Sequence, residues 1–587
     1  MFVKETTVRR GKRAYTYVQL VEGYRDERGT VRHRVVANLG RKEELKGSGQ
    51  LEKLAGAFAR LDPPLVGARR EVGALLLAWH FARELDLAGT VDRSLPRSER
   101  SELSVGEVVL ALVASRMCSP SPLYDIAGWA SGAAVRELLG IPPQLLNDDR
   151  LGRALERFAV YAEHVRGLLA ARAIERFGAD AGRLHVDLTT VRVTGAYEHS
   201  ALVAKGWGSD RHVARQVRTL QACTGDGVSL YLRPDPGNCS ELALVGQSLE
   251  RLLKFAKPGM LMVCDSALGQ PKSLCEIDRA GLSFIVPLKT STGFQERYLT
   301  DLDPDGLRAV RHAAERERRL PAKLRTKYRG AITDWEVEDP DTGERKRFRV
   351  AYIHSSEEQA QVAAARERAL VKAEEQLQRI KNGLGGRYYK TETQIERRVG
   401  QIIGKNIHGL ITVTVGTRAG KPTITWQHDQ DAIAQAQRTD GIYALATNLP
   451  GKLTAGKLLR LYKDQEIVER RHRDLKQTPK VRPIFLHNDD RIYALISIVG
   501  IALLIFGLIE TSLRQALAAD PQHEHKLLPL LPEDRLAKPT GANILSAFQG
   551  LDLTYTHHGP QLDPLTPTQE RILELLRIQP PWPQRDR

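Results

Sequence analysis

The stretch RLHVDLTTVRVTG, residues 183–195, reads at its start as a short buried strand, Leu184-His185-Val186-Asp187-Leu188, that carries one acidic residue. A second strand of the same kind, Met260 to Asp265 (MLMVCD), also runs apolar and ends on an aspartate. Between them, QVRTLQACTGDGVSLYLRPDPGN reads as strands joined by Gly and Asp turns, and CSELALVGQSLERLLKFA as a helix. A helix, QPKSLCEIDRAG, then leads to a third strand from Leu282 to Leu288. Strands followed by alternating helix and strand describe an α/β sheet. Asp187 and Asp265 would project from its carboxyl edge, where α/β folds hold their binding sites. Either aspartate alone is compatible with a cap or a turn; two of them in one sheet are a pair of hard oxygen ligands.

The third element is LLRLYKDQEIVERRHRDLK, residues 458–476, read as part of one long helix from about Ala455 to Gln477. Seven residues make close to two helical turns, so Tyr462, Glu469 and Lys476 fall on one face, with Gln465, Glu466, His472 and Arg473 along the same stripe. Leu458, Leu461, Val468 and Leu475 supply a separate apolar face. Ordinary helix salt bridges, each worth about 0.2–0.5 kcal/mol, would also give such a stripe. Two aspartates and a glutamate, however, match the oxygen preference of magnesium. The cations Lys463, Arg470, Arg471, Arg473, Lys476, Lys480 and Arg482 would hold a nucleic-acid backbone beside them. Glu466 lies one turn from Glu469 and competes for the same role; the Tyr and Lys seven residues either side favour Glu469.

Outward from this core, Tyr15 to Val21 and Val31 to Leu39 alternate as strands about the turn RDERGT, a small hairpin preceded by Arg9, Arg10, Lys12 and Arg13. REVGALLLAWHFARELDL, SELSVGEVVLALVASRM and NDDRLGRALERFAVYAEHVRGLLAARAIERF are helical, the last capped by Asn147 or Asp148. From about Thr290 to Thr439 the alternation breaks into short basic β pieces (KYRGAITDWEVED, KRFRVAYIHS, HGLITVTVG, KPTITWQH) and a charged helix from Glu357 to about Ile380, read as a solvated arm. It resumes at DGIYALATNLP. The boundaries follow: 1–45 hairpin and basic arm, 46–180 helical, 181–290 first part of the core, 291–438 insertion, 439–515 second part of the core, 516–587 tail.

Bulk properties narrow the partners. The 587 residues exceed one hydrophobic core, and 87 Lys+Arg against 71 Asp+Glu give a net charge of +16, which favours a polyanion, nucleic acid first. The five cysteines form no CxxC pair and no cluster with His, which disfavours a zinc site or disulfide framework. The N-terminus lacks the apolar region of a secretory signal, so a cytoplasmic, nucleoid-associated protein is expected. Ile492 to Ile509 (IYALISIVGIALLIFGLI) reaches membrane-span length, but is read as a helix buried between layers, with no membrane partner.

Together these segments resemble the insertion-sequence transposases of the Asp-Asp-Glu, ribonuclease-H-like superfamily, in the IS-four-like group with the Tyr-Arg-Glu-Lys signature. The resemblance rests on YTYVQLVEGYRDERGTVRHRVVANLG, HVDLTTVRVTG, GWGSDRHVARQ, PGNCSE, VCDSALG, FIVPLK, DGIYALATN, YKDQEIVERRHRDLK and the stretch from Arg482 to Glu510. It implies an α/β, ribonuclease-H-like core interrupted by a mainly β insertion, and a site of Asp187, Asp265 and Glu469 holding two Mg²⁺ ions, with Mn²⁺ able to substitute. Tyr462 and Lys476 would grip DNA, with Arg473 as a DNA-binding cation on the same stripe; the signature arginine falls on Gln465, also expected at the DNA, which keeps hydrogen bonding and loses charge. The implied reaction is cleavage at the terminal inverted repeats of a mobile element and strand transfer into target DNA, by a homodimer on double-stranded DNA. The alternatives are a nuclease of the same fold without strand transfer, and a catalytically silent, transposase-derived DNA-binding protein.

Overall fold

The computed structural model describes residues 2–10, 13–25, 31–42, 45, 66–96, 102–207, 212–239, 259–302, 306–314, 317, 320–404, 407–477, 486–520 and 539–585. Lys12, Lys480, Arg482 and nearly all of the helix expected over 239–256 lie outside these residues.

The chain begins as a three-stranded antiparallel sheet, β1 (Phe2–Arg10), β2 (Arg13–Arg25) and β3 (Val31–Arg41), in that spatial order. The expected hairpin is β2–β3. The residues read as a basic arm belong to strands instead: Arg9 and Arg10 end β1, and Arg10 pairs with Arg13 across the turn. β1 lacks clean apolar alternation. Polar cross-strand pairs hold it, Thr6 Oγ1 donating to Gln19 Oε1 at 3.1 Å and Thr7 facing Thr16 at 3.1 Å.

After β4 (Arg69–Glu71) come α1 (Leu75–Glu84), α2 (Leu87–Ser94), α3 (Val105–Cys118), α4 (Ile126–Gly132), α5 (Val135–Leu139) and the 30-residue α6 (Asp148–Phe177). Ser104 and Glu107 form a capping box at the start of α3, and Asn147 caps α6 by accepting from the Arg150 N–H. Gly178 ends α6 in the left-handed conformation, at φ 62°.

The central sheet has ten strands. It is built from β5 (Arg183–Arg192), β6 (Ala204–Trp207), β7 (Val213–Thr224), β8 (Ser229–Pro236), β9 (Leu261–Cys264), β10 (Ser283–Pro287), β11 (Arg308–Val310), β12 (Tyr328–Glu338), β13 (Arg345–Ser355) and β16 (Ile442–Thr447). The order is β11-β12-β13-β16-β10-β9-β5-β7-β6, with β8 also on β7. β5, β9 and β10 are mutually parallel; β7 and β8 turn back antiparallel, and so does β16 against β10. Helices α7 (Pro271–Arg279) and α8 (Phe294–Asp301) follow β9 and β10. Gly206 of β6 meets the PGN turn on this sheet: a Cβ on Gly206 would lie 2.1 Å from the Gly237 carbonyl oxygen, so no larger residue fits at Gly206.

The insertion is arranged differently from its expectation. β11, β12 and β13 are continuous with the main sheet through β16, because β13 pairs with β16 over Arg349–His354. A separate small core forms from α9 (Ser356–Asn382), α10 (Glu392–Ile402) and the hairpin β14 (Ile411–Arg418) with β15 (Lys421–His428), followed by α11 (Gln430–Gln437). Leu370, Leu377, Ile380, Ile395 and Ile424 are buried there, so the charged helix is packed along one side rather than being a solvated arm.

Beyond the sheet lie α12 (Ala455–Lys463), α13 (Glu466–Gln477) and α14 (Asp489–Ala519). α14 is the one helix among the described residues that is long and apolar enough to cross a membrane, and 94% of its most apolar stretch is buried inside the protein. It packs on α6, α3 and β8. Gly507 permits that approach, since a Cβ there would come 3.1 Å from the Gly227 carbonyl oxygen. The segment expected as a tail contributes α15 (Gly541–Ser546), β17 (Asp552–Thr556), β18 (Gly559–Leu562) and α16 (Pro567–Leu576). β17 pairs with β4, joining the two ends of this region in one three-stranded sheet.

The sheet is covered on both faces. Leu184, Val186, Met262, Cys264 and Phe284 belong to the core shared with α3, α6 and α14, while Leu261, Val263 and Ile285 pack with Leu458 and Leu459 of α12. By strand alternation Asp187 and Asp265 fall on the α12 side.

Candidate active site

Register brings the two aspartates together. β5 and β9 are parallel neighbours with Val186 opposite Cys264, so Asp187 and Asp265 are the next pair along, on strands about 4.8 Å apart. Each carboxylate is held by the backbone that follows it: Asp187 Oδ1 accepts from the Leu188 N–H at 2.8 Å, and Asp265 Oδ1 from the Ser266 N–H at 2.5 Å. Asp265 caps the single 3₁₀ turn Ser266–Leu268, which ends the strand at this point.

The glutamate element is not one helix. The expected run from Ala455 to Gln477 divides at Asp464 and Gln465 into α12 and α13. Hydrogen bonds tighten across the join, Gln465 N–H donating to the Tyr462 carbonyl at 3.0 Å and Val468 N–H to that of Gln465 at 3.0 Å. Asp464 is anchored from outside: Arg183, the first residue of β5, donates to its carboxylate at 2.6 Å. Tyr462 and Glu469 are therefore not stacked by helical periodicity, which assumed an unbroken axis.

They meet electrostatically nonetheless. Burial raises the pKa of the Tyr462 phenol, and the charges of Asp265, Glu469 and Asp187 raise it further, in that order. The charge of Glu358 in α9 acts in the same direction, and the hydroxyl keeps its proton. Glu466 is exposed, and its charge is one of several that act on His312.

Glu469 is exposed and makes no ion pair among the described residues. Among those residues no three His, Cys, Asp or Glu side chains stand close enough together to hold a metal ion as they are. The donor chemistry still fits a hard divalent cation: three carboxylates, with neither thiolate nor exposed imidazole beside them.

α13 carries two residues whose roles its sequence did not disclose. His472, 8% exposed, places Nδ1 3.4 Å from Asp187 Oδ2 and so connects the glutamate helix to the first aspartate. A histidine one turn after the glutamate was the available signal. Arg471 is not among the cations available to a nucleic acid, contrary to what the sequence of α13 suggests. It is buried, donating Nε to the Gly227 carbonyl at 2.6 Å and Nη1 to Asp474 at 2.8 Å, with Nη2 3.1 Å from Glu510 of α14. Its charge fixes α13 to the sheet and to α14 and cannot reach a ligand.

The remaining expected residues are distributed along this element. Gln465 is half-buried at the join and Arg473 is exposed. Lys476 lies in the last turn of α13. Lys463 stands over the Tyr443 ring, 5.8 Å from its centre.

Residues 179–505 match the family model of the transposase DDE domain. Residues 3–63 match the N-terminal domain of the IS1634 family of transposases, and residues 69–171 match a domain of unknown function, DUF4277. No curated protein matches the chain.

Proposed function

From the premise that the chain belongs to the DDE transposases, whose domain model spans more than half of it, we propose that Asp187, Asp265 and Glu469 are the carboxylates that give this family its chemistry. DDE transposase domains use divalent metal ions and act on DNA, and the N-terminal domain is that of the IS1634 family. The observation that carries the assignment is the pairing of Asp187 and Asp265 at the ends of adjacent parallel strands, with His472 of the Glu469 helix set against Asp187.

Two Mg²⁺ ions, or Mn²⁺ in their place, would be held by Asp187, Asp265 and Glu469. When bound they supply Lewis acidity toward phosphodiester oxygens and a more acidic water. The protein's own groups do the rest. Tyr462, kept protonated by burial and by the carboxylates around it, donates a hydrogen bond toward a phosphate oxygen. Arg473 and Lys476 grip the backbone of the DNA end, and Gln465 offers a neutral contact where the Tyr-Arg-Glu-Lys signature has a cation. The order β8-β7-β5-β9-β10, three antiparallel strands followed by two parallel to the first, supports a ribonuclease-H-like core. On this reading the protein cleaves at the terminal inverted repeats of its element and joins the freed 3′ ends to target DNA, working as a dimer that pairs two ends.

The test is cleavage of labelled duplex carrying the element's terminal repeat, with Mg²⁺ or Mn²⁺ and with Asp265→Ala as control. Metal-dependent nicking at the repeat boundary, absent from the variant, followed by joining to a target duplex is the expected result. Nicking without joining would leave a nuclease, and tight binding without nicking a silent DNA-binding protein.

A further inference from the structure

The sheet face that carries Asp187 extends beyond the carboxylates. β7 pairs with β5 in unbroken register, Asp187 opposite Gln221 and Val191 opposite Val217. Paired residues share a face and every second residue returns to it, so Arg215 and Val213 continue the Asp187 face along β7. β6 carries it one strand further, with Lys205 opposite Arg215 and Trp207 opposite Val213. Packing agrees: Arg215 Nη1 donates to the Tyr197 carbonyl at 3.2 Å, and Tyr197 shares a core with Val191, Val217 and Leu475 of α13.

The two faces of this β6–β7 edge differ. On the far face the PGN turn closes over it, Gln216 Nε2 donating to the Gly237 carbonyl at 2.9 Å and Gly206 having no room for a side chain. On the Asp187 face Trp207 is 60% exposed and Val213 63%, with Lys205 exposed beside them. Adjacent apolar groups left in water next to a cation mark a contact surface rather than a core position.

α13 leads to this edge. Its first half sits at the β7–β8 turn, with Ile467 and Arg471 against Gly227, and by Leu475 it shares a core with Val191 and Val217. Its axis therefore advances along β7 toward Val213, and exposed Arg473 and the last turn with Lys476 lie on the path from the carboxylates to the edge.

We propose that the open face of the β6–β7 edge is a further contact for duplex DNA, continuing the grip of Arg473 and Lys476. Lys205 meets a phosphate, and the Trp207 ring packs against the deoxyribose and base edges of a groove. The inference rests on the transposase reading above. The edge lies two strands from Asp187 and, along β7, as far as Val213 is from Gln221, about 25–30 Å at about 3.4 Å per residue and about 4.8 Å per strand. At about 3.4 Å per base pair the contact falls about eight base pairs from the cleaved phosphate.

The experiment measures affinity of the full-length protein for a fluorescein-labelled duplex spanning the terminal-repeat boundary, with arms of about 15 base pairs, across a salt series. Lys205→Ala should remove about 0.9 from the slope of log affinity against log salt, one phosphate contact. Trp207→Ala should lower affinity about tenfold with the slope unchanged, since an indole releases no counterions, and Trp207→Phe should recover most of it. Cutting one arm to about 5 base pairs, on the element side or the flanking side, should erase the difference between wild type and both variants in one of the two duplexes. Melting temperatures should not move, both side chains being exposed; if Trp207→Ala lowers its own, the Lys205→Ala slope decides. Unchanged binding by the variants, or a deficit that survives both truncations, overturns the inference and leaves the transposase reading intact. Wild type that binds no duplex overturns both.

Discussion

Arg471 and Glu510 face each other inside the protein, Nη2 3.1 Å from Oε1, with 2% and 1% of their side chains exposed. Glu510 Oε1 also forms an ion pair with Arg514 Nη1 at 2.5 Å and Oε2 accepts from the Gly541 N–H at 2.8 Å, so one carboxylate gathers α13, α14 and the C-terminal segment. Removing one member of a buried pair leaves the other charged and unpaired, at a cost of about 3–5 kcal/mol. Arg471→Ala or Glu510→Ala should therefore lower the melting temperature far more than Arg473→Ala, whose side chain is exposed. Burial opposes the charged form of Glu510, but the Arg471 and Arg514 guanidinia outweigh it and hold the pKa below the ordinary 4.5. Its contribution is thus complete above that value and lost as pH falls through the depressed one, so the Glu510→Ala deficit should shrink in strong acid. A deficit independent of pH would mean that Glu510 is not ionised in the folded protein.

His472 should act on the site through Asp187. With Nδ1 3.4 Å from Oδ2, the imidazole restrains one oxygen of a proposed metal ligand. Losing such a partner typically costs about 10–100-fold in metal affinity or activity. His472→Ala should raise the Mg²⁺ concentration needed for half-maximal cleavage while leaving duplex affinity in place, and His472→Gln should recover part of it. A fall in rate with the metal requirement unchanged would show that the histidine only packs.

These two residues also mark where the sequence stops being readable. The apolar runs ending at Asp187 and Asp265 are local patterns, and they located the strands now seen as β5 and β9. Arg471 looks like its neighbours Arg470 and Arg473 because a helix so rich in charge does not disclose which cation turns inward. The clue was at a distance: Glu510 is a charge directly following an apolar run, and a buried acid there requires a buried base. The break at Asp464 and Gln465 is equally silent, since both residues tolerate a helix and an ion pair to Arg183, 281 positions away, holds the join. The pairing of β13 with β16 and of β4 with β17 is likewise set by tertiary contact, which no window of sequence contains.

Asp235 gives the fold an unusual pH dependence. Burial, outweighing the Arg233 guanidinium at 3.0 Å, pushes its carboxyl up to about 7 from 3.8. The folded state then binds more protons than the unfolded one between these values, so this group's contribution falls as pH rises through that window, by at most about 1.4 kcal/mol per pH unit. Asp235→Asn removes the titration. Its melting temperature relative to wild type should therefore be more favourable at about pH 8 than at about pH 5. A constant difference would show that Arg233 keeps the carboxylate ionised throughout.

Gln465→Arg should tighten duplex binding and steepen its salt dependence by about 0.9, by restoring a cation beside the carboxylates. The site tolerates the charge, because Asp464 and Glu466 flank it and the join is held by backbone bonds that do not involve the side chain. No increment in affinity or in salt slope would mean that position 465 faces away from the DNA.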